Sequence, residues 1–386
     1  MKIASEKRPA LHRRLTGLLV LLSLMAMMPV RASGWSRPGH NVVARIAGRM
    51  LEETARRDVK NFLNLEAEEL WRISTWADDV RHVDFDESFQ MKQFRPETTQ
   101  WHFVDIPLFK SGSFDFEIDY VESRDCAVTR YGDCAIRAIQ QFEEIMRQSA
   151  TNPKANTDAD LMAQLKATPR ATRDYFNILN QIEARVKGAD ALRFLVHFIG
   201  DLHQPLHAIS NCYNADCSDS DAGGNRVSVL LKWTGYVWDE KVGTPTEKKT
   251  NLHSTWDGDF VERDIQQLIK SGQIKPKDNS REAREAAYAE WLVQNIKPPA
   301  AEANSTDVVA WARQTHQQAL QAYAPVVARL KAAKKHQLGD KDVIELDDKY
   351  FNDNVENGVR KQLVLAGLRL AKVLNAMLVK PQASPQ

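Results

Sequence analysis

Between Phe194 and His207 the chain reads Phe-Leu-Val-His-Phe-Ile-Gly-Asp-Leu-His-Gln-Pro-Leu-His. The run is too apolar to lie on a surface, yet it carries His197 and Asp201 at a four-residue spacing, which puts both on one face of a helix, a turn apart. Leu192, Leu195, Val196, Ile199 and Leu202 cover most of the remaining circumference, so the spacing predicts a helix buried on nearly all sides. A buried carboxylate with no partner would take up a proton. Asp201 and His197 therefore either pair with each other or with another side chain, or they hold a cation. Taken alone, a satisfied polar pair is the commoner explanation for such residues in a core. The rest of the chain favours the cation.

With 386 residues, 43% hydrophobic and 27% charged, the chain can bury a large core, which excludes disorder as its default state. Lys+Arg number 52 against Asp+Glu 51, so no global positive field draws in a polyanion; any nucleic-acid binding needs local groups or metals. Lys2, Lys7, Arg8, Arg13 and Arg14 precede an apolar run from Leu18 to Val30 and then the small residues Ala32, Ser33 and Gly34. This is the layout of a secretory signal over residues 1–34; the run is short for a membrane span, and the alternative is an uncleaved anchor. Export makes disulfides the natural use of Cys126, Cys134, Cys212 and Cys217, with three connectivities open and Cys126 with Cys134, Cys212 with Cys217 favoured. A thiolate zinc site is the competing reading, against which the spacings count.

Beyond the leader, Val42, Val43, Ile46, Ala47, Met50 and Leu51 have helical spacing, which places His40 at a helix start. Trp76-Ala77-Asp78 precedes Arg81, three residues after Asp78; as an isolated pair, Asp78 and Arg81 would be a surface ion pair. The alternation from Trp101 through His102, Phe103 and Asp105 to Pro107 predicts an extended segment ended by proline. Ala135 to Met146 marks another helix, and the polar stretch from Gln148 to Arg173 reads as a surface excursion. Asp221-Ala222-Gly223-Gly224-Asn225 is a turn signal, with a short strand or hairpin expected over Val227 to Leu231. His253 and Asp257 repeat the four-residue spacing of His197 and Asp201. From there to the end the pattern is helical, closing on the stripe Leu363, Ala366, Leu370, Val373, Leu374 and Met377. His203, six residues on from His197, faces another side of its helix. His316 and His336 read as surface groups, as does the basic cluster Lys331 to His336.

Two His-x-x-x-Asp pairs together with His40, Asp78, His102 and His207 are too many ligands for one ion, so a multinuclear site follows. Trp76, Trp101 and Trp256 beside these residues suggest apolar walls that strengthen electrostatics. In these pieces and their order, from Trp35 with His40 to the end helix, the chain resembles the zinc-dependent single-strand nucleases that include mung bean nuclease. That resemblance implies a mainly α fold, a single helical domain over residues 35–386 of the phospholipase C and single-strand nuclease type, with a short β-hairpin. It implies three zinc ions: one on Asp78, His102, His197 and Asp201; a second on His207, His253 and Asp257; a third on His40, Asp201 and the amine and carbonyl of Trp35, if cleavage follows Gly34 rather than Ala32.

The implied activity is metal-assisted hydrolysis of single-stranded DNA and RNA to 5'-phosphate products, and of 3'-nucleotides, with Asp78, Arg81 and Asp201 catalytic and Arg81 on the phosphoryl oxygens. Phe103, Asp105 and Asn225 would receive a base, Phe103 by stacking, which requires a base free of its duplex. The implied product is a secreted or periplasmic monomer with no membrane attachment after cleavage. Alternatives are a zinc phospholipase C, or a catalytically silent relative that only binds zinc or nucleic acid.

Overall fold

The computed structural model describes residues 34–80, 98–126, 134–151, 188–215, 217–236, 247–339 and 341–378. Residues 1–33 of the expected leader, Arg81 and most of the polar excursion after Gln148 lie outside them.

The apolar spacing after His40 becomes α1 (Arg37–Met50), entered through Pro38, whose fixed φ suits a first turn and which has no N–H to leave unpaired. A short helix, α2 (Glu53–Leu63), ends on Asn64 in the left-handed conformation. The pair α3 (Ala135–Thr151) and α4 (Gly188–Asp201) packs along its length. Phe142 of α3 stacks on Phe194 of α4 with ring centroids 4.6 Å apart, and Trp76 meets Phe194 edge-on at 5.0 Å. Leu192, Leu195, Val196, Phe198 and Ile199 are fully buried, each worth about 1.5–3 kcal/mol of transfer free energy. The helix buried on all sides is therefore present, and α1, α3 and the last helix are its walls.

Pro205 stops continuation of α4. Gln204 turns to extended backbone and its side chain accepts from Leu206 N, capping a single turn over Pro205–Ala208. Next come β1 (Ser228–Lys232) and β2 (Lys248–Asn251), antiparallel with Ser228 opposite Asn251. The helices α5 (Phe260–Lys270), α6 (Arg281–Asn295), α7 (Val308–Ala322) and α8 (Ala324–Ala333) follow. Then β3 (Ile344–Asp347) lies parallel to β1, with Val229 opposite Ile344 and Leu231 opposite Leu346. The expected hairpin is thus part of a three-stranded sheet in the order β2-β1-β3, and the stretch after His253 is not wholly helical. The last helix, α9 (Lys361–Leu378), carries the predicted stripe and packs on α1, α3 and α4.

Cys126 is bonded to Cys134 and Cys212 to Cys217, the favoured pairing. Among the described residues no helix is long and apolar enough to cross a membrane. One surface expectation is corrected: His316 is fully buried, because it shares the inward stripe of α7 with Trp311, Ala312, Thr315 and Ala319. Its Nδ1 and Nε2 each lie 2.8 Å from a main-chain oxygen, of Ala208 and Glu117 respectively.

Candidate metal centre

Helix α4 delivers His197 and Asp201 to the middle of the molecule, and five other segments converge on them. α1 supplies His40 from its first turn, and the turn Trp76–Val80 supplies Asp78. The turn Thr99–His102 ends on His102; it is 3₁₀-helical rather than extended, and the extended backbone begins only at Phe103. The capped turn after α4 brings His207. His253 and Asp257 lie on a helix that widens to a π-turn over Thr255–Asp259 before α5, a distortion frequent at functional sites.

Asp201 sits between two sets of histidines. Its Oδ2 lies 2.7 Å from His102 Nδ1 and 3.1 Å from His197 Nε2, while its Oδ1 lies 3.2 Å from His40 Nε2. Asp78 Oδ1 is 3.7 Å from His197 Nε2 and 3.9 Å from His102 Nδ1. The rings of His40 and His197 stack at 4.0 Å. On the other side, Asp257 faces His253 Nε2 at 3.6 Å and His207 Nε2 at 4.0 Å. Three groups follow: His40, Asp78 and His197; His102, His197 and Asp201; and His207, His253 and Asp257, each with ligand atoms within 4.8 Å of one another. The third is the predicted trio. The first two share His197 and together bring His40 to the predicted quartet of Asp78, His102, His197 and Asp201.

The main chain at the start of the described residues also reaches this centre. A Cβ built on Gly34 would overlap Asp201 Oδ1 and lie 3.0 Å from His40 Nε2. Ser36 N donates to Asp257 O at 2.7 Å, and the Trp35 side chain is fully buried.

Hydrogen bonding fixes the tautomers. Nδ1 of His197 donates to Ser74 O, of His207 to His102 O and of His253 to Gly223 O, each at 2.7 Å. A carbonyl oxygen can only accept, so these Nδ1 atoms carry protons and turn Nε2 inward as the ligand atom. Gly223 serves this geometry: its φ is +61°, and a Cβ there would stand 2.5 Å from Leu206 O.

The donor set fits cations. Nε2 of His207 and Nε2 of His253 are 3.2 Å apart, and neutral rings would confront two lone pairs there. Burial and the neighbouring His253 hold His207 well below the usual range, so protonation does not relieve the contact. Around His197 the sign reverses: burial works against its charged form, but the carboxylates of Asp201 and Asp78 outweigh burial and push the ring up to about 9. Asp201 is in turn held well below the carboxylate range, because His197 and His102 outweigh its burial. The site's field thus favours positive charge, which metal ions would supply.

Phe103 lies beside the centre, half-buried, its ring 4.4 Å from that of His207 and 6.0 Å from that of His253. Two residues on, burial together with Asp125 and Asp221 pushes the Asp105 carboxyl up to about 6. In the turn that holds His253, Asn225 has a buried Oδ1 without a hydrogen-bond partner.

Several supporting residues carry no sequence signal of their own. Gln204 donates through Nε2 to Asp257 Oδ1 at 2.6 Å and so aims that carboxylate; only its place before Pro205 hints at a cap. Ser74 Oγ donates to Asn41 Oδ1 at 2.8 Å, and Asn41 Nδ2 donates to Glu285 Oε2 at 2.8 Å, a buried line from α6 to the carbonyl that holds His197. His203 stands apart from all three groups: its Nδ1 bonds Ile199 O and its Nε2 faces Arg369 at 2.7 Å.

Comparison with known proteins covers the stretch that carries these residues. The sequence profile of the family described as S1/P1 Nuclease matches residues 35–379. The chain is 27% identical to Endonuclease 1 of Arabidopsis thaliana over 94% of its own length and 93% of that protein's. It is 26% identical to Nuclease S1 of Aspergillus oryzae over 59% of this chain and 55% of that one. With Nuclease P1 of Penicillium citrinum the identity is 25%, over 68% and 67%.

Proposed function

The chain belongs to the S1/P1 nuclease family, and from that premise we propose that it is an exported zinc-dependent nuclease, mature from Trp35. It hydrolyses phosphodiester bonds of single-stranded DNA and RNA to 5'-phosphate products and also acts on 3'-nucleotides. The observation that carries this reading is the convergence of three buried His/Asp groups whose inward nitrogens need cations between them. The two disulfides support export, since they persist in an oxidising compartment.

Asp78, His102, His197 and Asp201 would hold one zinc ion, His207, His253 and Asp257 a second, and His40 and Asp201 with the amine and carbonyl of Trp35 a third. Bound zinc lowers the pKa of water and polarises phosphoryl oxygens, which is the chemistry this hydrolysis needs. The protein's own groups do the rest. Asp201, with an oxygen towards each set of histidines, fixes the spacing of the centre, and Asp78 adds a second carboxylate on the same side. Arg81 follows Asp78 by three residues and is assigned to the phosphoryl oxygens, where its fork neutralises growing charge. Phe103 offers a half-exposed ring face at the edge of the centre for one base, with Asp105 and Asn225 as polar groups for its edge. The raised Asp105 carboxyl can donate a hydrogen bond below about pH 6 and only accept above it.

The test compares hydrolysis of single-stranded DNA, duplex DNA and phosphatidylcholine by the exported protein, with zinc counted per chain and the first residue sequenced. Turnover of the single strand, little of the duplex and none of the lipid is expected, with three zinc ions and Trp35 first. Lipid turnover, or fewer than two zinc ions with no nuclease activity, would sink the proposal.

A further inference from the structure

Helix α4 does not end on an ordinary α-helical bond. His203 N donates to Gly200 O at 3.1 Å, and Ile199 O, the carbonyl this N–H would meet in a continuing α-helix, takes the His203 side chain instead, with Nδ1 at 2.7 Å. A carbonyl oxygen only accepts, so Nδ1 carries the ring's proton and Nε2 keeps its lone pair. Arg369 Nη1, which can only donate, meets that lone pair at 2.7 Å. The ring is thereby fixed as one neutral tautomer with both nitrogens used. His203 and Arg369 are both fully buried.

Arg369 reaches this place from α9, which lies so close to α1 that a Cβ on Gly367 would stand 2.5 Å from Ile46. Its Nε and Nη2 donate to Glu302 O at 3.1 and 3.0 Å, and Nη2 donates also to Gln314 Oε1. The guanidinium stands 5.3 Å over the Trp311 ring, which the His203 ring flanks at 5.7 Å. Among the described residues no carboxylate pairs with it: Glu302 gives its main-chain oxygen to Arg369 and its carboxylate to Lys361 at 2.9 Å. A buried cation held only by neutral acceptors is costly, and an apolar side chain would fill the same space without that cost. The bond to His203 lands at a particular place. Three residues of the turn after α4 face three ways: Asp201 to both histidine sets, Gln204 to Asp257, and His203, between them, to Arg369. Through the ring the positive charge also reaches the C-terminal carbonyls of α4, the end at which a helix favours a cation.

We propose that Arg369 is a positioning residue for the metal centre, acting through His203: the pair holds the main chain from Ile199 to Gln204 on the path that sets Asp201 between its histidines and turns Gln204 towards Asp257. The two sets of ligands are then kept in register by a bond from α9, 166 positions further along the chain. The inference rests on the proposed zinc-dependent function for what the centre holds, and asks nothing of the substrate. It also gives His203, which the spacing turns to another side of its helix, a part in arranging the ligands it does not join.

The experiment uses the full exported protein and three variants: His203→Phe, Arg369→Met, and the two together. Zinc affinity is measured by competition with a chelator, ligand geometry by the visible absorption of the cobalt-substituted protein, and folding by circular dichroism at saturating zinc. Each single change strands a buried partner and should disturb both the fold and the affinity. The double variant removes donor and acceptor together, so its circular dichroism should return to the parent's, while zinc affinity stays about 10–100-fold down and the cobalt bands stay shifted. A contact that only supports the fold would recover all three, and a double variant with the parent's affinity and bands overturns the inference. If the double variant does not fold, Arg369→Lys decides. Its ammonium keeps the charge but cannot span His203, Glu302 O and Gln314 at once, so the bond to His203 loses its anchor; affinity below the parent's and shifted bands are expected, and parental values overturn the inference. A parent that binds no zinc sinks the nuclease reading and this inference with it, whereas a zinc-binding parent matched by its variants sinks this inference alone.

Discussion

Asp201 has two oxygens and each faces a different histidine set, so its negative charge is shared in a way an amide cannot reproduce. Asp201→Asn is expected to abolish hydrolysis while the far-ultraviolet circular dichroism stays that of the parent. Turnover above a few per cent of the parent with full metal content would count against a bridging role. Phe103→Ala should weaken single-strand binding by roughly 1–3 kcal/mol and leave an activated diester without a base hydrolysed as before. Loss of both activities together with metal would make Phe103 a packing residue under His207. Residues such as His197, Asp201, His253 and Asp257 were legible because a charged pair at helical spacing inside an apolar run has few other uses. Ser74, Asn41 and Gln204 were not: Ser74 and Gln204 flank short turns, where polarity is ordinary, and Asn41 is a single polar residue within α1, so none carries a period.

At the scale of elements, the turn from Gln204 to Ala208 does two jobs. It reverses the chain after α4, and through Gln204 it orients Asp257. Gln204→Ala is therefore expected to keep the fold but to lower metal affinity at His207, His253 and Asp257 about 10–100-fold, measured by competition with a chelator of known affinity. Unchanged affinity would mean that Asp257 is held by its π-turn alone. The long helices α1, α3, α4 and α9 could be read from their apolar stripes. β3 could not: Ile344-Glu345-Leu346-Asp347 offers only two inward residues, and its pairing with β1 is made across more than a hundred residues of chain. Likewise the alternation Trp101 to Pro107 suggested extension, but Trp101 and His102 both turn inward, which a 3₁₀ turn allows and a strand does not.

Across the whole molecule, Glu285 on α6 is buried, and burial pushes its carboxyl up to about 7, against a usual 4.5. A raised carboxyl contributes stability that is complete below pH 4.5 and lost as pH rises through 7. Glu285→Gln keeps an acceptor for Asn41 without the charge. Its unfolding free energy should match the parent's near pH 4.5 and exceed it at pH 8, by a margin on the order of 1–3 kcal/mol, read as a higher thermal midpoint. Equal midpoints at both pH values would show that Arg45 and Arg281 already compensate the charge. The mainly helical class implied by the resemblance agrees with the apolar stripes; the line from Glu285 to His197 was not legible, because its links join Asn41 to Glu285 across 244 positions and Ser74 to His197 across 123. A different kind of consequence comes from the three Nδ1 atoms anchored on the oxygens of Ser74, His102 and Gly223. Every amino acid brings a carbonyl, so these anchors belong to the path of the backbone rather than to any side chain. Gly223 apart, substitutions at the anchoring positions are tolerated as long as that path is kept, which makes the centre a transplantable frame: a designer who copied the backbone of these turns would inherit the ring orientations without copying most of their sequence.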